Sequence, residues 1–86
     1  MLTTYRILYW QEIPSQVRAE DESTDVNVEL PQKFMARIDA MAAERGLTAA
    51  DDYLAQWHWS EDADRAGAAQ EVADALAAEL EAKADW

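Results

Sequence analysis

The sequence predicts an α+β fold in which a small antiparallel sheet of three to four strands packs against three helices. Two observations carry this prediction. Short segments with alternating apolar side chains occupy the first thirty residues, and segments with helical periodicity fill most of the remainder. The predicted order is β-β-β-α-α-(β)-α, and 86 residues correspond to a single domain that spans residues 1–86.

The three N-terminal strands are predicted from the alternation of apolar and polar residues. Thr4–Gln11 has large apolar side chains on both faces, which is typical of a central strand that is covered on both sides. Gln16–Glu20 follows a turn that contains a proline, and Val26–Leu30 follows an acidic turn. In the third strand the apolar residues are expected to face the core, which leaves Asn27 and Glu29 outward.

The first helix is predicted to begin at Pro31, because a proline loses nothing by its missing N–H in the first helical turn. Gly46 is expected to end this helix in the left-handed conformation. Thr48, with Asp51 three residues further on, is expected to cap the second helix. The apolar stripe of the first helix consists of Phe34, Ile38, Met41 and Ala42.

The C-terminal third of the chain contains one further strand candidate and one strong helix. Trp57–Ser60 has aromatic side chains at alternate positions, which favours a short fourth strand or an extended edge. Glu61–Gly67 is predicted to be a polar linker. Ala68–Lys83 has an apolar residue at every fourth position with small alanines beside it, which predicts a strong helix.

The chain is strongly acidic, with 18 Asp and Glu against 7 Lys and Arg and a formal net charge of −11. Residues 1–47 contribute −3 of this charge and residues 48–86 contribute −8. A field of this sign repels nucleic acid and anionic membranes. We therefore expect neither as a partner, and the acidic surface is either solvated or docks onto a basic partner.

The absence of cysteine excludes disulfides, a thiolate nucleophile and a zinc ribbon. The N-terminal segment lacks the apolar run of a signal peptide, and no stretch approaches the ~20 apolar residues of a transmembrane helix. These features lead us to expect a cytoplasmic protein.

His58, Ser60 and Asp62 share one face if this segment is extended, which superficially matches a catalytic triad. Alternate residues of a strand stand ~6.6–6.8 Å apart, whereas triad members must lie within ~2.6–3.2 Å of each other. These distances exclude a triad along one strand. No metal site and no cofactor are predicted, because one histidine and scattered carboxylates lack the spacing of known ligand sets. A small ligand-handling protein or enzyme that uses the acidic residues and His58 is the alternative to a binding role.

Four tryptophans are many for a chain of this length, and they suggest a binding surface. Tryptophan, tyrosine and arginine dominate the energetics of protein interfaces. Arg6, Trp10 and Arg18 are candidates for such a patch on the outer face of the sheet, and Trp57 and Trp59 are further candidates. Two other interpretations stay open: the tryptophans fill a core that is otherwise built from alanine, or the arginines pair with neighbouring glutamates.

The segment from Val26 to Trp57 has the strand-helix-helix order of ribbon-helix-helix DNA-binding proteins. In those proteins the outward side chains of a strand ribbon enter the major groove. The outward residues here, Asn27 and Glu29, and the acidic start of the second helix at Asp51 are unsuited to a phosphate-rich groove. DNA binding is therefore a third alternative, which the charges oppose.

A resemblance over nearly the full length comes from the segments YW-x-x-IPSQV and LP-x-x-F-x-x-x-ID. With them the chain resembles a small bacterial family that is named "virulence factor". The resemblance implies a bacterial cytoplasmic domain that occurs alone or beside helical-repeat segments. It also implies an accessory role in one-carbon metabolism, since family members are often encoded near folate- and corrinoid-dependent methyl-transfer enzymes. The family provides no catalytic or binding residues that could be transferred to this chain.

The sequence thus favours a non-catalytic interaction module, an accessory subunit that binds another protein. The motivating features are the missing catalytic constellation, the acidic bias and the surplus of aromatic residues. The partner's identity and the formation of a homodimer stay open at this point.

Overall fold

A computed structural model describes all residues from Met1 to Trp86 and confirms the predicted α+β class. The sheet has the order β3-β2-β1-β4, and a fifth strand also pairs with β1. All strand pairs are antiparallel. The elements are β1 Leu2–Trp10, β2 Ile13–Glu20, β3 Asp25–Glu29, α1 Gln32–Glu44, α2 Ala50–Leu54, β4 Trp57–Trp59, β5 Ala63–Ala66 and α3 Ala69–Lys83.

The edge of β1 opposite β2 pairs with two short strands, which together correspond to one interrupted strand. β4 pairs with the C-terminal part of β1, and β5 pairs with its N-terminal part. At the interruption the Ser60 backbone N–H donates to the Ile7 carbonyl over 2.8 Å, and the Ser60 hydroxyl accepts from the Ile7 N–H over 2.8 Å. Three residues lie opposite two of β1 here, which is the geometry of a β-bulge.

The strand β5 corrects the prediction of a polar linker over 61–67. Its sequence Ala-Asp-Arg-Ala has no β-branched or aromatic residue, so local propensity does not specify it. Pairing with β1 specifies it instead: Thr3 lies opposite Arg65, and the Thr4 hydroxyl donates to the Asp64 carboxylate over 2.9 Å. The other strands match their predicted positions with ends shifted by a few residues.

The helix boundaries follow the predicted signals with one exception. Phe34 and Ile38 of α1 are buried as expected, and Gly46 adopts a left-handed conformation with φ +70°. The expected cap of α2 is wrong, because α2 has Ala49 at its N-cap position and no side-chain cap. The helix begins one residue later than a Thr48 cap requires, so Thr48 stays outside it.

The core consists of two clusters of buried side chains. The first joins one face of the sheet to α3, where alanines allow the helix to approach closely. The second lies at the β1–β2 hairpin, where α1 and α2 pack. The first cluster contains Ile7, Val17, Ala19, Ala69, Val72, Ala73 and Leu76. The second contains Trp10, Ile13, Leu30, Phe34, Ile38 and Ala42.

The expectation that β1 is covered on both faces is wrong for most of its length. α3 covers the face of Thr3 and Ile7, which are buried. The opposite face presents Thr4, Arg6 and Leu8, and none of the three belongs to either core cluster or packs against one. One side of the sheet is therefore open to solvent.

No helix of the protein combines the length and the apolar character that crossing a membrane requires.

Candidate functional site on the open face of the sheet

The strand register places a defined set of side chains on the uncovered side of the sheet, which we term the open face. Residues directly opposite each other in antiparallel strands share a face, as do alternate residues of one strand. The central row runs Asn27, Arg18, Arg6 across β3, β2 and β1. The row above it contains Glu29, Gln16, Leu8 and Trp59. The row below contains Asp25, Glu20, Thr4 and Asp64.

Arg6 and Arg18 lie directly opposite each other at the centre of the open face. Like charges in this position destabilise a sheet, so the pair requires compensation from its surroundings. Arg18 finds it in two carboxylates, since its guanidinium lies 2.5 Å from Asp25 and 3.6 Å from Glu20. The interpretation in which the arginines pair with neighbouring glutamates therefore holds for Arg18, which pairs with Glu20.

Arg6 has no carboxylate within ion-pair distance. All ion pairs of the protein involve the other arginines Arg18, Arg45 and Arg65. The Arg6 guanidinium instead lies over the Trp59 ring, 4.8 Å from its centroid, a cation–π contact. Its Nε is buried and has no hydrogen-bond partner. In a chain with net charge −11, Arg6 is thus a half-buried cation that the protein itself leaves without an anion.

A concavity of ≈ 410 Å³ extends from the arginine pair toward the β2–β3 turn. The two guanidinium groups contribute its positive charge, and carboxylates on the other walls contribute negative charge. The acidic residues of this wall are Glu20, Asp21, Glu22 and Asp62. Guanidinium groups bind carboxylates in a fork geometry, and the acidic wall suits ammonium or guanidinium groups. The open face can therefore accommodate a surface that carries both charges, with an anion at its centre.

Trp10, which we predicted to share the outer patch with Arg6 and Arg18, is placed elsewhere. Its side chain is fully buried with 0% exposure, and its indole N–H donates to the Tyr53 carbonyl over 2.9 Å. The prediction for Trp10 is wrong because its neighbour across the hairpin, Ile13, packs with it against α1 and α2. For this residue the core interpretation of the tryptophans is correct.

The remaining tryptophan candidates divide between the core and the surface. Trp57 is half-buried at the second core cluster, with its ring 6.1 Å from that of Tyr53 in an edge-on arrangement. Trp59 is 41% exposed and lies on the open face. The structure therefore brings Arg6, Arg18 and Trp59 together and separates the other two candidates from them. Leu8 and Gln16 complete the surface, and their alternation with Arg6 and Arg18 along the two strands was the available signal.

The residues that resembled a triad have structural contacts instead. His58 is exposed, its ring stacks on Tyr9 with centroids 5.7 Å apart, and its Nε2 lies 2.9 Å from the Gln11 carbonyl. The Ser60 hydroxyl is bonded within the bulge of the edge strand. No group of three or more His, Cys, Asp or Glu side chains is arranged to hold a metal ion.

The strand-helix-helix order of residues 26–57 is present as β3, α1 and α2. One edge of β3 pairs with β2 of the same chain, whereas the ribbon of a DNA-binding dimer pairs two chains. Asn27 and Glu29 of β3 are exposed, and Asp51 and Asp52 occupy the first turn of α2. The acidic residues among these positions are thus exposed, and their charges are unfavourable for contact with phosphates.

The fold and the site define a small α+β domain with an arginine-centred open sheet face. A family model described as "Virulence factor" matches residues 8–85. The chain belongs to this family, which confirms the resemblance noted in its sequence. No curated protein and no solved structure shows significant similarity to the chain.

Proposed function

We propose that the protein is a non-catalytic interaction module that binds a protein partner through its open face. One observation carries this proposal: Arg6 is half-buried, stacked on Trp59 and without a carboxylate, although the chain has 18 acidic residues. A cation that is left unpaired among so many carboxylates is well suited to an anion supplied by a partner.

The composition of the open face supports a protein partner. Arginine and tryptophan are the residues that most often dominate binding energy at interfaces. Trp59 and Leu8 add apolar area beside the Arg6 guanidinium, and Arg18 adds a second set of donors. The rim of polar and acidic residues around this centre has the arrangement of an interface with an anchoring core and a polar periphery.

The charges of the open face favour a particular partner surface. The acidic wall and the net charge of −11 attract basic residues during the approach of a partner. Arg6 at the centre, which has no ion pair, favours an aspartate or glutamate there. We therefore propose a partner that presents a carboxylate encircled by basic side chains.

The family resemblance suggests the system in which such a module works. It implies a bacterial cytoplasmic accessory subunit in folate- and corrinoid-dependent methyl transfer. We accordingly propose that the partner belongs to that one-carbon system, with the protein acting as a binding or positioning subunit.

Co-purification from the source cell at low salt tests the proposal. The tagged wild-type chain is expected to retain a stoichiometric partner, and the combined Arg6→Ala and Trp59→Ala changes are expected to weaken binding about 30-fold or more. Leu54→Ala is the matched control, because Leu54 is a large side chain that is 63% exposed and lies on α2. A monodisperse monomer without any retained protein would refute the proposal, as would undiminished retention by the double variant.

A further inference from the structure

The seven Lys and Arg residues of the chain are distributed unevenly over the structure. Three of them form ion pairs, and Arg6 lies over Trp59 on the open face. The three that remain, Lys33, Arg37 and Lys83, all lie around Trp86. A protein with net charge −11 thus collects its remaining cations without ion pairs at one place, which is away from the open face.

An apolar groove of ≈ 300 Å³ lies at this place, between the β1–β2 hairpin, α1 and the end of α3. Phe34 is buried, and the Trp86 ring stands edge-on against it with centroids 4.9 Å apart. Six of the nine residues that line the groove are hydrophobic. Phe34, Leu80 and Trp86 form its apolar wall together with Ile13 and Ala84.

Two of the cations lie over the Trp86 ring, which forms one wall of this groove, and the third lines the groove. The Lys33 ammonium lies 6.0 Å from the centroid of the Trp86 ring, and the Arg37 guanidinium lies 5.7 Å from it. Lys83 lines the groove itself. None of the three has a carboxylate within ion-pair distance. A cation over an aromatic face remains available to an anion, because the ring contact leaves most of its N–H groups free.

Glu12 is the one acidic side chain that lines the groove, and its charge is already compensated. Arg45 donates to both of its oxygens, over 2.8 and 3.2 Å. The hydrogen bonds from Arg45 hold the pKa of Glu12 below its ordinary value, so Glu12 is an ionised member of an ion pair at neutral pH. Asp85 is exposed and does not line the groove. Three basic side chains at the groove thus have no ion pair, whereas its one acidic side chain is held by Arg45.

We propose that this groove binds a small carboxylate with an apolar body, an alkyl or aryl carboxylic acid in its ionised form. The apolar body packs between Phe34, Leu80 and Trp86, and the carboxylate lies toward Lys83 and Arg37. Small-molecule sites have volumes of about 300–1,000 Å³ and combine apolar walls with a few polar groups. The groove is at the lower end of this range, which favours a single ring or a short chain. This site and the open face share no residue, so each proposal stands without the other.

Titration of the ¹⁵N-labelled protein with 4-phenylbutyrate, monitored by NMR, tests the proposal. The probe has two matched analogues with the same apolar body, 4-phenylbutanamide and 4-phenylbutylamine. Resonances of Phe34, Leu80 and the Trp86 indole are expected to shift, and the carboxylate is expected to bind about tenfold more tightly than the amide. The amine is expected to bind more weakly than the amide. Equal affinities for the three probes, or shifts that are centred on the open face, would overturn the proposal.

Substitutions separate the charge contribution from the apolar one. Lys83→Gln and Arg37→Gln, both at exposed positions, are expected to lower the affinity for the carboxylate severalfold and to leave that for the amide unchanged. Arg6→Gln is the matched control, since Arg6 is an arginine without an ion pair on the other site. Trp86→Ala, at a side chain that is 39% exposed, is expected to weaken both probes. Unchanged carboxylate binding by all of these variants would refute the site.

Discussion

Replacement of Trp10 by phenylalanine tests the placement of this residue in the core and not on the outer patch. The indole N–H donates to the Tyr53 carbonyl over 2.9 Å and so ties β1 to α2. Phenylalanine keeps an aromatic ring but cannot donate this hydrogen bond. The Tyr53 carbonyl then has only the Gln56 N–H, at 3.3 Å, as a backbone partner. The change therefore removes one long-range contact and some buried apolar area.

The expected cost of Trp10→Phe is about 2 kcal/mol. The net contribution of the hydrogen bond is about 1 kcal/mol, and the smaller ring loses about 1 kcal/mol through reduced burial and a small cavity. A chain of 86 residues has a free energy of unfolding of roughly 4–13 kcal/mol. The expected loss is thus a large part of the total. At 4–8 °C per kcal/mol for a domain of this size, the midpoint of thermal unfolding falls by about 8–16 °C.

Thermal unfolding followed by circular dichroism, together with urea unfolding, provides the measurement. Trp57→Phe and Trp59→Phe are the matched controls, since Trp57 is half-buried without a hydrogen bond from its indole and Trp59 is 41% exposed. We expect about 0.5–1 kcal/mol for Trp57→Phe and less than about 0.5 kcal/mol for Trp59→Phe. If Trp59→Phe destabilises the protein as much as Trp10→Phe, the assignment of Trp10 to the core and Trp59 to the surface is refuted.

Three further substitutions at two positions test how the chain is fixed at its turns. Asp21 accepts hydrogen bonds from the N–H groups of Ala69, Ser23 and Thr24, and these bonds lower its pKa from the ordinary 3.8, that from Ala69 most. Because the pKa of Asp21 is lower in the folded than in the unfolded protein, its ionised carboxylate stabilises the fold at pH values above the unfolded-state pKa, and this stabilisation is lost as the pH falls through the folded-state pKa. Asp21→Asn should therefore be destabilising at pH 7, and its urea midpoint should approach that of wild type below about pH 4. A difference between the two proteins that does not depend on pH would contradict this. Gly46 has φ +70°, and no atom lies within 4 Å of an added Cβ, so a substitution there is expected to cost stability through the backbone conformation alone. Gly46→Ala should lower the free energy of unfolding by about 1 kcal/mol in thermal unfolding, and Gly46→Asn by about half of that. Equal stability of Gly46→Ala and wild type would refute this cause.

The parts of the fold that the sequence predicted depend on local signals. Pro31 and Gly46 mark the two ends of α1 through backbone constraints that act within a few residues. The burial of Phe34 and Ile38 follows from a spacing that any helix converts into one face. Asn27 and its neighbours in β3 behave likewise, with alternate residues on opposite faces. In these segments the residues that determine the structure lie within a few positions of the element that they specify.

The parts that were not predicted depend on partners far away in the chain. β5 exists because β1 offers it an edge some sixty residues earlier, and its own sequence has no strand propensity. Trp10 is buried because α1 and α2 pack at its end of the hairpin, although Arg6 in the same strand is on the open face. The candidate site was therefore predicted in part: Arg6, Arg18 and Trp59 come together, while the register that joins them to Leu8 required the structure.

The net charge of −11 is a weaker guide to binding than the positions of individual charges. The molecule measures 44 × 25 × 16 Å, whereas exposed charges at physiological ionic strength are screened beyond about 8 Å. A ligand at either site therefore interacts mainly with the few groups around it. At the open face these groups are an arginine pair with a mixed rim, and at the Trp86 groove they are three cations without ion pairs. The acidic field governs the approach of large, highly charged molecules such as DNA, and the local arrangement governs which smaller group can bind.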